Sequence, residues 1–195
     1  SDFARVLSSY VDVIVCRAFH HEMVADLASH STCPVINGLT DKSHPCQALA
    51  DLLTLKEIYG SLRGLKLAYV GDANNVAASL AIGCAKMGAE FAVAAPAGYQ
   101  FDDAFLARVR GLAPQAVIRQ STDPREIVAG ADAVYTDVWT SMGQESEQAA
   151  RRKAFASYQV NGALMRLAPK ARFLHCLPAH RGEEVTDEVL DGPQS

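Results

Sequence analysis

The sequence predicts an α/β protein. Residues 61–195 read as a doubly wound, Rossmann-like parallel-sheet domain, and residues 1–60 as the partial remainder of a similar α/β domain. Three observations predict it. Short apolar runs rich in β-branched residues alternate with helical patterns along most of the chain. The stretch GSLRG, residues 60–64, carries two glycines and breaks that rhythm once. Polar side chains gather after the same end of one apolar run after another.

Taken in order, residues 2–10 read as a helix with Phe3, Val6 and Leu7 on one side. VDVIVCR (11–17) is a buried strand, HHEMVADLASH (20–30) a helix and PVIN (34–37) a second strand. Residues 47–59 form an amphipathic helix carrying Leu49, Leu52, Leu53, Leu55 and Ile58. After the glycine turn come a strand at 65–72, an alanine-rich helix at 75–88, a strand at 90–96 and a helix at 103–111. A strand at 116–120 precedes a helix at 123–131, where Asp123 caps and Pro124 sits in the first turn. DAVYTDVW (132–139) is a strand. Helical patterns follow at 144–156 and 160–167. ARFLHCLP (171–178) is the last strand, and a short helix spans 186–190.

Composition excludes several classes of function. The 195 residues are 49% hydrophobic and 21% charged, as in an ordinary globular protein, and the net charge of −4 gives no general attraction for nucleic acid. No apolar run is long enough to span a membrane, and SDFARVLSS lacks the build of a signal peptide, so a cytoplasmic location is expected. Five cysteines without a CxxC pair predict reduced thiols, with Cys16, Cys33 and Cys84 buried. His175, Cys176 and His180 match no standard zinc spacing, so no metal is expected.

In open parallel sheets, ligands bind beyond the carboxyl ends of the strands, close to helix N-termini. Arg17 follows the first strand, and GLTDKSHPCQ, with His44 and Gln47, follows the second. GDANN follows the third, but the G-x-G-x-x-G fingerprint is absent, which disfavours a nicotinamide site. Asn74 is assigned to capping the helix, and Asn75 is kept as a ligand candidate. Asp137 and Ser141, four apart, can hold an ammonium and a carboxylate, although taken alone they read better as caps of the next helix. Cys176 follows the last strand; taken alone, it reads as a structural cysteine. Arg17 suits a phosphate or carbonyl, with a surface ion pair as the plainer reading. His44 suits a carbonyl oxygen, with a cap or loop histidine as the plainer one.

HPCQALADLLT, VGDANN, DVWTSMGQE and HCLPAHRGEEVTDEV, in this order and spacing, resemble the aspartate/ornithine carbamoyltransferases. The D-x-W-x-S-M-G and H-C-L-P motifs are similar to the ornithine branch, and the resemblance covers nearly the whole chain. It implies transfer of a carbamoyl group from carbamoyl phosphate to the side-chain amine of L-ornithine, giving citrulline and phosphate without metal or organic cofactor. It also implies that Arg17, His44, Pro45, Cys46, Gln47, Cys176 and Leu177 hold carbamoyl phosphate. Asn75, Asp137, Ser141 and Met142 would hold ornithine, and Asp137 and Cys176 would orient or deprotonate the amine. Members of the family are homotrimers. Their Ser-Thr-Arg phosphate motif is missing from these residues, as is the final Glu-Asn-Arg helix. The resemblance therefore implies a part of a longer enzyme with little or no turnover of its own. The alternatives are a sister transferase for another amine, a non-catalytic α/β ligand-binding module and a nucleotide-binding domain.

Overall fold

The structure, a computed structural model, describes residues 2–141 and 143–195. Helix α1 (Asp2–Ser8), strand β1 (Ile14–Arg17), helix α2 (His21–His30) and strand β2 (Val35–Leu39) come first. β1 and β2 pair in parallel, with Ile14 opposite Val35 and an irregularity between Cys16 and Arg17. Helix α3 (Pro45–Tyr59) then leads through Gly60, at φ 79°, into the second half of the chain.

That half runs β3 (Lys66–Val70), α4 (Asn75–Met87), β4 (Glu90–Ala94), α5 (Asp103–Leu112), β5 (Ile118–Ser121), α6 (Pro124–Val128) and β6 (Ala133–Thr136). It continues through a 3-10 turn to α7 (Gln148–Phe155), α8 (Gly162–Met165), β7 (Arg172–His175) and α9 (Asp187–Leu190). Among the described residues these strands form one parallel sheet of order β5-β4-β3-β6-β7. The winding reverses between β3 and β6, which makes the crevice beyond their carboxyl ends the natural ligand site of the fold.

The central strands are buried on both faces, as a helix-covered parallel sheet requires. Val70, Val134 and Phe173 pack with Phe155 and Leu164 on one side. Leu67, Tyr69 and Tyr135 pack with Leu80 and, from α3, Ala48, Leu52 and Leu55 on the other. The helix that follows the first strand pair thus contributes to the core of the second half. Its approach to α4 is close: a Cβ on Gly83 would stand 2.4 Å from Leu52 Cδ1, so only glycine fits there without displacing the leucine.

Local signals account for several element ends. Asn74 accepts hydrogen bonds from the Val76 and Ala77 N–H groups and caps α4, which ends at Gly88 in the left-handed conformation. Asp123 caps α6, with Pro124 at its first position.

Several expectations are corrected. α1 buries Ala4 and Ser8 rather than Phe3 and Val6, which are exposed. The first strand starts at Ile14, because residues 11–13 lie in a bend instead of the ladder. α3 begins at Pro45 and not Gln47: proline is suited to the first helical position, so the turn that holds Cys46 and Gln47 is already helical. Leu49 and Leu53 point outward from it. Of the three cysteines expected inside, only Cys84 is fully buried, and burial lifts its thiol to about 12. Cys16 and Cys33 are half-buried, on or beside the two-stranded sheet where Val15 and Ile36 are also exposed.

Candidate active site

A cavity of about 580 Å³ opens beyond the carboxyl ends of the strands, between the two halves of the chain. Arg17 and His44 enter from the first half. Asn75, Asp137, Ser141, Cys176 and Leu177 enter from the second. Residues up to 160 positions apart in sequence therefore meet where the sheet topology places a ligand. Pro45, Cys46 and Gln47 do not line this cavity. Cys46 is exposed and its Sγ donates to the Asn37 carbonyl at 3.4 Å. The Gln47 amide donates along its own helix to Asp51 Oδ1 at 3.0 Å. Both follow from the helix starting at Pro45, which turns Gln47 along α3 and Cys46 toward β2. Met142 lies outside the described residues.

Asp137, at the end of β6, is the best-connected group of the site. It is buried, and Oδ1 accepts from its neighbour Val138 N at 2.7 Å and from Cys176 Sγ at 3.0 Å. Oδ2 accepts from Asn74 Nδ2 at 2.8 Å. The N-cap of α7 is Glu147, so among the described residues neither Asp137 nor Ser141 caps that helix. Asn74 has both roles at once: its carbonyl oxygen caps α4 and its amide nitrogen steers the carboxylate. Burial, then the Asp137 charge and its hydrogen bond, push the Cys176 thiol far above the ordinary thiol range. Cys176 is therefore a protonated donor here and not a thiolate.

His44 stands at the N-cap position of α3, and its backbone N–H donates to Ser79 Oγ at 2.8 Å. Burial, and then the Arg17 charge, hold its imidazole below the ordinary histidine value despite the opposing pull of Asp137. It is neutral at pH 7, with Nδ1 buried and lacking a hydrogen-bond partner among the described residues. Asn75 donates to the Thr40 carbonyl at 2.7 Å, fastening the loop before His44 to the start of α4.

The loop from Asp137 to Gln144 is braced from behind. Arg151, almost fully buried, pairs with Asp72 and donates from Nε to Gln144 Oε1 at 3.2 Å. The same Gln144 oxygen accepts from Ser141 N at 3.1 Å. The Arg151 guanidinium also lies 5.0 Å from the Tyr99 ring centre. Trp139, in the same loop, is buried against Phe155. Asp72 and Gln144 also line the cavity, although no motif in the sequence marks them as site residues. An Asp and an Arg 79 positions apart carry no local signal of pairing.

Ligand atoms of Asp137, His175 and Cys176 all lie within 4.8 Å of one another, which is the spacing of a metal-binding group. Both His175 ring nitrogens are already engaged within the protein. Nδ1 accepts from Leu177 N at 2.8 Å, and Nε2 lies 3.2 Å from Glu184 Oε1. The cluster is thus a hydrogen-bonded one.

Residues 63–195 match the family model for the Asp/Orn binding domain of aspartate/ornithine carbamoyltransferase. Residues 1–57 match that for its carbamoyl-P binding domain. The chain belongs to the aspartate/ornithine carbamoyltransferase family. Among its relatives, the ornithine carbamoyltransferase of Bacillus subtilis is 57% identical over 198 residues, covering all of this chain and 62% of its own length. That of Symbiobacterium thermophilum is 59% identical, with 64% of its length covered. The solved ornithine carbamoyltransferase of Pyrococcus furiosus superposes with a TM-score of 0.93 at 52% identity, over 99% of this chain and 63% of the other. The chain thus spans a little under two thirds of the relatives it matches. As a carbamoyltransferase-family chain, it also has no described helix long and apolar enough to cross a membrane.

Proposed function

We propose that this chain carries the ornithine site and part of the carbamoyl phosphate site of an ornithine carbamoyltransferase. The observation that carries the reading is the meeting of Arg17 and His44 with Asn75, Asp137, Ser141 and Cys176 around one cavity. The first half serves the carbamoyl donor, and the second half serves the amino acid while Cys176 and Leu177 reach the donor as well.

The chemistry fits these groups. Carbamoyl phosphate is already activated, so alignment supplies much of the catalysis. The Arg17 guanidinium faces the phosphate, and neutral His44 donates a hydrogen bond to the carbonyl oxygen as charge grows there. Leu177 and Cys176 border the carbamoyl group. Pro45, Cys46 and Gln47 reach it only if the first turn of α3 moves, since none lines the cavity now. Asp137 and Asn75 hold ornithine, with Ser141 and Met142 at its other end. The neutral side-chain amine adds to the carbamoyl carbon and the carbon–oxygen bond to phosphate breaks. The nitrogen's extra proton leaves with the phosphate or through Asp137. Cys176, held protonated, orients rather than removes that proton. The reading includes a homotrimeric, cytoplasmic enzyme that uses no cofactor.

The test is citrulline formation from ornithine and carbamoyl phosphate by the whole encoded protein, beside calorimetry with ornithine, carbamoyl phosphate and NAD. Turnover with ornithine and none with putrescine is expected. Ornithine binding without turnover would make it a non-catalytic module, and turnover of another amine a sister transferase. Sedimentation tests the trimer.

A further inference from the structure

The loop after β7 contains a buried acid that the reaction as described does not use. Glu184 is fully buried, and its Oε2 has no hydrogen-bond partner among the described residues. Its Oε1 accepts from the His180 N–H and faces His175 Nε2, itself on a side chain only 2% exposed. The other His175 nitrogen accepts from the Leu177 N–H at 2.8 Å. An N–H can only donate, so Nδ1 is the unprotonated nitrogen and Nε2 bears the proton, which it gives to Glu184.

Leu177 is the one non-glycine residue with positive φ among the described residues, at 56°. A bulky side chain holds that conformation only where its surroundings impose it. The Leu177 N–H bond to His175 fixes the peptide plane that leads into this conformation. The N–H and C=O of a trans peptide point opposite ways, so the Cys176 carbonyl faces away from His175. The same turn brings the Cys176 thiol to Asp137.

We propose that His175 and Glu184 are positioning residues of the transfer site: Glu184 fixes the histidine tautomer, and His175 Nδ1 holds the Cys176–Leu177 turn so that the Cys176 thiol meets Asp137. The link to catalysis rests on the carbamoyltransferase reading, whereas the link to the turn does not.

The amide oxygen of an asparagine replaces Nδ1, and the amide of a glutamine reaches the place of Nε2. His175→Asn therefore keeps the acceptor for Leu177, and His175→Gln loses it. The rate at which iodoacetamide alkylates Cys176, resolved by peptide mass spectrometry with Cys84 as the buried control, reads the turn. His175→Gln is expected to react about tenfold faster than wild type, the size one hydrogen bond sets, with His175→Asn close to wild type. In the whole encoded protein, kcat/KM for carbamoyl phosphate should fall about tenfold in His175→Gln and recover in His175→Asn. Equal alkylation of the two variants overturns the proposal. The difference in alkylation without any wild-type citrulline overturns the enzymatic reading alone. Should the variants not fold, nitrogen-15 imidazole shifts of the wild-type chain decide: a proton on Nε2 is expected, and a proton on Nδ1 overturns the assignment.

Discussion

Asp137 holds three donors from three elements: the Asn74 amide, the Cys176 thiol and the Val138 N–H. That scaffold fixes the carboxylate yet leaves lone pairs for an ammonium. Replacing Asp137 by Asn removes the charge while keeping the volume. Ornithine affinity measured by calorimetry should fall about 100-fold, as for the loss of a buried charge-assisted contact. An unchanged dissociation constant would assign the amine to another group. His44 gives a prediction in pH. Its folded-state pKa lies below the unfolded value, so between the two the unfolded chain binds more protons. Stability should fall as pH drops through about 6.5 and level off once the folded-state value is passed. Urea unfolding at pH 8 and pH 5 should therefore show a larger loss for wild type than for His44→Asn. Equal losses would place the histidine in water.

At the scale of elements, the contact between α3 and α4 is a paired choice. Leu52 fills the space that Gly83 leaves open. Leu52→Ala should cost about 2–5 kcal/mol. Gly83→Ala should destabilise wild type, where the new methyl meets the leucine. In the Leu52→Ala background it should instead stabilise by about 1 kcal/mol through helix propensity. A double-mutant cycle by urea denaturation checks the change of sign. Additive effects would mean that the helices separate at no cost. The strands and helices on either side are legible in sequence because period and caps are local: Asn74 and Asp123 carry the cap signal, and each caps its helix. The positions of Gln47 and Cys46 were not legible, since one residue's difference in where a helix starts rotates a side chain by a quarter turn or more. The Arg151–Asp72 pair was hidden for a different reason: only the sheet order brings the two together.

On the scale of the whole molecule, α3 ties the halves of the chain together. Ala48, Leu52 and Leu55 lie in the core with Tyr69 and Leu80, and Asp51 accepts from the Tyr135 hydroxyl at 2.9 Å. Burial raises the Asp51 pKa, partly offset by the Tyr135 and Gln47 hydrogen bonds. We therefore expect a chain starting at Ser43 to unfold cooperatively in urea. One starting at Leu62 should lose the burial of two leucines, about 1.5–3 kcal/mol each, and show a lower midpoint. Matching midpoints would assign α3 to the first half alone.

The single tryptophan of these 195 residues, Trp139, sits two residues from Asp137 and two from Ser141, with its ring shut away from water. An optical gauge thus stands next in sequence to Val138, which lines the crevice. Any small molecule that shifts this wall should register as a change in indole emission, so occupancy can be followed by light alone, with no dye, label or coupled assay.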